Sequence, residues 1–409
     1  MTRRSTFRGR SPVEWGVRAV LALGATWLGF DAITATLAYS IRGRDVERAY
    51  ALAPGDGRIA ALLSVKRIGE ATDNSGRTKA LQLAKAALRQ DPTAVAAVTT
   101  LGIAAQAEDN ATAARTFFTY SQWLSRRNLW TQLWAIEDAV ARNDIPATLK
   151  SYDIALRTSR AASDLLFPVL GKAITEPEIR TNLVRTLVQK PVWAEGFVDA
   201  APSIGSNAQA TALFLRDLRR KGYPVSDVAS TTMVKVLAER NFLNDAWTYY
   251  ATVRPNVDRR RSRDPFFSAD LAIPSPFDWI ISDDAGISAS MQRGEQGGLI
   301  DFTAPASVGG TVVRQVQMLP PGEYILTGHS TNIEQTGTSL PYWLLACENG
   351  RELGRVVVTS SQQARGRFMG QLRVSADCPV QSLSLVVRPS DSLGGVSGQI
   401  DLTELREAR

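Results

Sequence analysis

Histidine and cysteine are nearly absent from this sequence: His329, Cys347 and Cys378 are all there is in 409 residues. That scarcity excludes a zinc site built from Cys and His, and any Ser-His-Asp triad would depend wholly on His329. His329 ends a predicted strand (GEYILTGH) and no G-x-S-x-G elbow occurs, so it reads as a surface or edge histidine. Lysine is scarce too, eight of 47 basic residues, the others being arginine. The net charge is +7, yet outside residues 3–18 and Arg259, Arg260, Arg261 and Arg263 the cations are interleaved with acids. No basic stripe with stacking aromatics emerges, which argues against nucleic acid as a partner. With 44% hydrophobic and 21% charged residues the chain has ordinary globular composition, not that of a disordered one. Nothing in the pattern calls for a cofactor or a metal.

Long apolar runs are missing, with one exception. Residues 19–41 (AVLALGATWLGFDAITATLAYSI) carry a single charged side chain, Asp31. As a helix this run would rise about 34 Å, enough to cross a hydrocarbon core of roughly 30 Å. Ahead of it, in residues 1–18, Arg3, Arg4, Arg8, Arg10 and Arg18 face one acid, Glu14. The positive-inside rule then keeps residues 1–18 in the cytoplasm and sends 42–409 across the membrane. Trp15 and Tyr39 stand near the two ends, where interfacial aromatics belong. Eight strongly apolar residues contribute roughly −4 kcal/mol to insertion against about +3 for a mid-membrane Asp, so the span is marginally hydrophobic. Three readings send the bulk of the chain to the same side. They are an imperfect anchor, an anchor whose Asp31 faces a partner membrane protein, and a signal peptide cut near Ala38. A buried helix of a soluble core is the alternative.

Residues 42–253 read as almost wholly helical and contain a repeat. In frames of 34 residues starting at Ala61, Val95 and Leu129, Ala71, Ala80, Ala87 and Pro92 fall at positions 11, 20, 27 and 32 of the first. Leu101, Gly102, Ala105, Ala114 and Phe118 fall at 7, 8, 11, 20 and 24 of the second; Ala135, Ala139, Tyr152 and Ala155 fall at 7, 11, 24 and 27 of the third. This pattern resembles the tetratricopeptide repeat, in which small residues at 8 and 20 let two helices approach and an aromatic at 24 fills the gap behind them. Residues 163–253 continue the helical pattern out of phase, punctuated by Pro168, Pro177, Pro191 and Pro224, with a hairpin breaking near Asn241. By that resemblance Leu62, Val65, Ile103, Trp130, Leu133 and Val140 line a concave groove suited to a helix or an extended apolar peptide rather than an acidic tail. The competing reading makes Trp130 and Leu133 core contacts with the next helix.

Residues 254–264 (RPNVDRRRSRD) read as a charged linker. From 265 to 409 the period changes to two: TVVRQVQM, EYILTGH, YWLLAC, GRVVVTS, RFMGQLRV, SLSLVVR and GQIDLTEL are short strand-like runs bounded by turn residues. Pro321-Gly322 has type II turn chemistry. Seven or eight strands in this length suggest a two-sheet sandwich. Cys347 ends one strand and Cys378 precedes another; in an oxidising compartment a bridge between them would add roughly 3–4 kcal/mol by loop closure, two buried thiols being the alternative.

The succession SADLA (268–272), PFDW (276–279), VVRQ, PPGEY and SGQID (397–401) resembles jelly-roll modules that bind carbohydrate. The acid that would complete a calcium site with Asp401 is replaced by Ala272, so no calcium is expected. That resemblance implies glycan stacking on exposed aromatics, with Trp343, Tyr342, Tyr324 and Trp279 as candidates beside the amides of Asn332, Gln362 and Gln363; Trp279 reads as core before it reads as a ligand platform. SYDIALRTS, LLFPVL and CPVQSLSLVV look like proteins of exopolysaccharide loci in Gram-negative bacteria.

The expected architecture is thus multidomain: an N-terminal transmembrane helix, an all-α tetratricopeptide-like solenoid and an all-β jelly-roll sandwich. The expected role is that of a non-enzymatic, single-pass inner-membrane adaptor with its bulk in the periplasm. Its solenoid would bind a protein partner of the cell envelope and its sandwich glycan or a second partner, during exopolysaccharide assembly or export. A pure protein scaffold is the alternative. A glycan-cleaving enzyme using Asp278 with Asp283 or Asp284 is a third reading.

Overall fold

The computed structural model describes residues 12–408 except 272, 285, 295, 296, 336, 391 and 392. Arg3, Arg4, Arg8, Arg10 and Ala272 therefore lie outside the described residues. The chain divides into two compact units, Met1–Leu166 and Phe167–Arg409, each described by itself.

The first unit opens with α1 (Pro12–Ile41), which starts seven residues ahead of the expected span, with Pro at its first position and Glu14 in its first turn. None of its apolar window is buried. Val20, Leu21, Leu23, Trp27, Leu28, Phe30 and Ile33 are all exposed, as is Asp31. A buried soluble helix is therefore not what the structure shows. Only the last turn is covered, where Ala38 packs with Ala49 of α2 (Val46–Leu52) and with Ile59.

Three hairpins follow: α3 (Gly57–Glu70) with α4 (Asn74–Gln90), α5 (Val95–Ala107) with α6 (Ala111–Leu124), and α7 (Leu129–Ala141) with α8 (Ile145–Thr158). Their second helices end at 90, 124 and 158, 34 residues apart each time. Asp109 and Asn143, also 34 apart, turn left-handed, and the next amides bond back to the carbonyls of Ala105 and Ala139 at 2.9 Å. These Schellman closures fix where α5 and α7 stop. Asn110 and Asp144 then cap the second helices through the amides of Ala113 and Ala147. At Gly102 a β-carbon would sit 2.9 Å from the Phe118 ring, so position 8 is small because position 24 fills it. The first hairpin departs from the frame. Asp56 caps α3 through the amides of Arg58 and Ile59, which starts it four residues ahead of Ala61 and leaves Ala71 at its C-cap.

The division between the units falls within α9 (Ala162–Ala173), which holds Pro168 inside rather than at an end. The second unit continues with α10 (Pro177–Val188), α11 (Ala194–Ile204), α12 (Ala208–Arg220), α13 (Asp227–Glu239) and α14 (Leu243–Val253). Phe197 packs edge-on against Phe167 and Phe214. Asn241 makes the left-handed turn between the last two helices, where the hairpin break was expected.

Residues 254–264 are not a free tether. Ser262 exchanges backbone and hydroxyl bonds with Leu405 at 2.9 Å, and Arg263 is buried. Its guanidinium donates to the Phe277 carbonyl and Gln317 Oε1, both at 2.8 Å, and to the Val316 carbonyl. Burial pulls its pKa down, though the group remains cationic at neutral pH. The charge run looked solvated because local pattern cannot show that one guanidinium meets a preformed set of acceptors.

Ten strands then form two five-stranded antiparallel sheets. They are β1 (Ile280–Ile281), β2 (Ser288–Gly294), β3 (Gly297–Ala304), β4 (Gly310–Gln317), β5 (Gly322–Thr331), β6 (Tyr342–Cys347), β7 (Glu352–Val357), β8 (Arg367–Val374), β9 (Gln381–Val387) and β10 (Val396–Glu407). The sheet orders are β1-β4-β9-β6-β7 and β2-β3-β10-β5-β8. Successive strands from β3 to β6 cross between sheets, as do β7 to β10, which is jelly-roll topology. The core between the sheets includes Trp279, Trp343, Phe302, Tyr324 and Phe368. Cys347 and Cys378 are disulfide-bonded. Gly322 is already the first residue of β5, paired with Val374, and has no positive φ, so Pro321-Gly322 is not a type II turn.

Candidate functional site

The aromatic residues expected to stack on sugar are not presented to solvent. Trp343 and Tyr324 are 0% exposed and Trp279 5%. The pleat of β6 sends Trp343 inward and Tyr342 outward, and the rings of Trp279 and Trp343 lie 5.5 Å apart inside the core. Trp279 donates to the Asp264 carbonyl and Tyr324 to that of Pro320. Tyr342 stays half-buried, with the guanidinium groups of Arg355 and Arg388 5.0 and 4.4 Å from its ring centre. Cations already occupy the ring that a sugar would need. Trp343, Tyr324 and Trp279 are corrected to core roles, because large aromatics in a sandwich of this size are what fills it, whereas Tyr342 faces outward beneath two arginines.

The sandwich offers a different concavity, of about 710 Å³, over β10, β5 and β8. Alternation places Thr327 and His329 on the outer face of β5, and Arg367 and Met369 on that of β8. Register aligns His329 between Leu402 and Arg367, and Thr327 between Glu404 and Met369. A bulge between Ile400 and Leu402 interrupts β10 at Asp401, whose carboxylate oxygens both lie 2.8 Å from His329 Nδ1. The carboxylate therefore orients the ring. Gly366, left-handed at φ 73°, passes so near that a β-carbon would lie 2.1 Å from the Ser330 carbonyl and 3.2 Å from His329 Nε2. Phe266, 53% exposed, lines the same concavity. An exposed ring, a thioether and an oriented His–Asp pair beside an arginine suit a ligand with one apolar face and several hydroxyls. Pairing the alternation of EYILTGH with that of RFMGQLRV would have found His329, Thr327, Arg367 and Met369. Phe266 lies in an irregular stretch and carried no signal. Asn332 bonds Gln399 nearby, and Gln362 and Gln363 sit on the loop ahead of β8.

The paired-carboxylate reading fails on geometry. Asp278 is buried, accepting from the Tyr250 hydroxyl at 2.7 Å and from Ser275 at 2.6 Å. Asp284 instead accepts from the Thr311 amide. Burial first, then the Asp278 charge and hydrogen bond, push the Tyr250 pKa well above its usual value.

In the hairpins, Trp130, Leu133 and Val140 share one face of α7 by spacing; Trp130 and Val140 are exposed and Leu133 partly buried. Leu62 is exposed and Val65 half-buried on α3, whereas Ile103 packs against Ile68, Ala114 and Phe118. Ile103 is thus largely a core contact, since the helix pairs close over it. Tyr120 and Trp123 on α6, stacked 6.0 Å apart with Trp123 79% exposed, were missed.

No protein-family model matches the sequence, and no curated protein matches it. Among solved structures, the Glycosylation Associate Protein (Gap123) complex from Streptococcus agalactiae is similar over 32% of this chain and 44% of that one, at 12% identity and a TM-score of 0.21. The human IFIT1 dimer with PPP-AAAA is similar over 52% of this chain and 57% of that one, at 18% identity and a TM-score of 0.25. The chain spans about half the length of either structure, and overlap this small assigns no function.

Proposed function

We propose that this chain is a non-enzymatic adaptor anchored in the inner membrane by α1, with the hairpins holding a protein partner and the sandwich holding glycan in the periplasm. The observation that carries the reading is the bareness of α1: an apolar helix whose membrane-length window no other described residue covers belongs in lipid. Arg18 on one side of the span and the disulfide on the other favour export of the larger part. The resemblance of SYDIALRTS and CPVQSLSLVV supports exopolysaccharide assembly or export as the setting. The test is membrane fractionation with thiol labelling. The full chain should resist carbonate extraction, and Cys347 and Cys378 should be alkylated only after reduction. Full-length protein in the lipid-free soluble fraction, with both thiols reactive, would refute it.

The glycan half of the reading rests on the concavity over β5. Affinity electrophoresis through neutral polysaccharides should retard the wild-type chain. Phe266→Ala and His329→Ala should restore free migration. Equal migration of all three in every gel would leave the sandwich as a protein-holding scaffold.

A further inference from the structure

A second concavity, of about 550 Å³, lies between the second helices α6 and α8, floored by α7. It occupies repeat positions such as 21 and 22 (Arg115, Lys150), and none of the expected groove residues Leu62, Val65, Ile103, Trp130, Leu133 and Val140 lines it. Arg115, Arg126, Arg142 and Lys150 line it against a single acid, Asp138. Asp138 is held at 2.7 Å by Arg115 and 3.0 Å by Arg142. Burial pushes its pKa up, but the two arginines outweigh that and keep it below the usual carboxylate value. The Arg126 and Lys150 side chains make no ion pair among the described residues, and both are exposed. Two cations are therefore free at the mouth after the internal acid is satisfied.

At the floor is a second, independent signal. Gln132 is 1% exposed; its amide nitrogen donates to the Arg126 carbonyl at 3.1 Å, but Oε1 has no partner. A buried acceptor left unpaired costs roughly 1–3 kcal/mol unless something donates to it. Gln122, Thr119 and Ser151 add further polar atoms, and Trp134, stacked on Phe118 at 4.7 Å, lines the same wall.

The geometry points to an anionic, hydroxyl-rich ligand in this crevice: a carboxylated sugar unit of an acidic polysaccharide. Its carboxylate would meet Arg126 and Lys150, and its hydroxyls Thr119, Gln122 and Ser151. A polypeptide is disfavoured because the lining has few apolar recesses, and helix or strand recognition relies on such anchors. The site is separate from the sandwich face and stands or falls without it.

Titration calorimetry on the full chain in detergent tests this with three probes: hexagalacturonate, maltohexaose and hexaglutamate. Hexagalacturonate should bind, and Arg126→Gln with Lys150→Gln should weaken it about tenfold or more, both side chains being exposed and remote from the core. Its affinity should fall as salt rises. Every titration is made in the His329→Ala background, which removes the sandwich face as a second sugar site and separates this outcome from failure there. Absence of hexagalacturonate binding, binding indifferent to the double variant, equal binding of maltohexaose, or tighter binding of hexaglutamate would each overturn the assignment.

Discussion

The hairpins of the first unit and the sandwich of the second are both layered around a dry interior, but they fill it differently. Between the hairpins the buried residues are mainly alanines, Ala60, Ala61, Ala84, Ala87 and Ala97 among them, with glycine where a ring must fit. Between the sheets they are Trp279, Trp343, Tyr324, Phe302 and Phe368, tied at one edge by a disulfide. Small side chains bury little area each, so the hairpins gain their order from close backbone approach and helix-end chemistry. Large ones bury 150–250 Å² apiece and make the sandwich a single cooperative block. Stability in the first unit is therefore spread over many weak, repeated contacts, and in the sandwich it is concentrated in a few strong ones.

The sharpest way to break this contrast is Trp343→Ala. It should cost about 3–5 kcal/mol in denaturant unfolding and speed hydrogen exchange throughout β4, β6 and β9. Unchanged protection in α3–α8 is the expected counterpart, and loss there would refute the separation. Cys347→Ser with Cys378→Ser should cost roughly 3–4 kcal/mol, read the same way and confined to the same strands. Gly102→Val should act only in the hairpins. Replacing glycine gains at most about 1 kcal/mol of helix propensity, while crowding Phe118 costs roughly 1–3, so a net loss of about 1–2 is expected. Phe118→Leu should relieve part of it in a double-mutant cycle.

The smallest effect concerns pH. Hydrogen bonds from Thr93 and then Arg58 hold the Asp91 carboxyl down at about 2, against an ordinary value of 3.8. A carboxyl depressed in the folded state contributes stability above about pH 4 and loses it as pH falls toward 2. The Asp91 side chain is half-buried but its partner Arg58 is exposed and solvent screens the pair, so Asp91→Asn should only slightly flatten the acid limb of a melting-temperature profile for the hairpins. A steep acid loss surviving the substitution would place the titrating group elsewhere.

What the sequence made legible follows from the same contrast. The 34-residue spacing of Ala80 and Ala114, and of Phe118 and Tyr152, announced the hairpins, because each repeat must solve one packing problem in one way. Alternation announced seven strands from 310 onward. It missed β1, β2 and β3, where SASMQRG and GGLIDFTA carry glycine and polar residues in place of β-branched runs. The frame slipped at α3 because the Asp56 cap, not the alanine pattern, decides where that helix begins. The candidate site was the least legible part. Aromatic residues were sought for their chemistry, whereas the pleat and the volume between the sheets decided which of them faced water. His329 gained a role only when the β10 bulge brought Asp401 beside it, a pairing 72 residues apart in sequence.

The four residues 42–45 are all that separate the end of α1 from the start of α2, and Ala38 is already clasped by Ala49 and Ile59. With α1 in lipid, the first hairpins have no leash. They stand at the bilayer surface at a fixed stand-off and cannot sweep a volume in search of a partner. Whatever they hold must come to the membrane, by diffusing along it or by emerging from it.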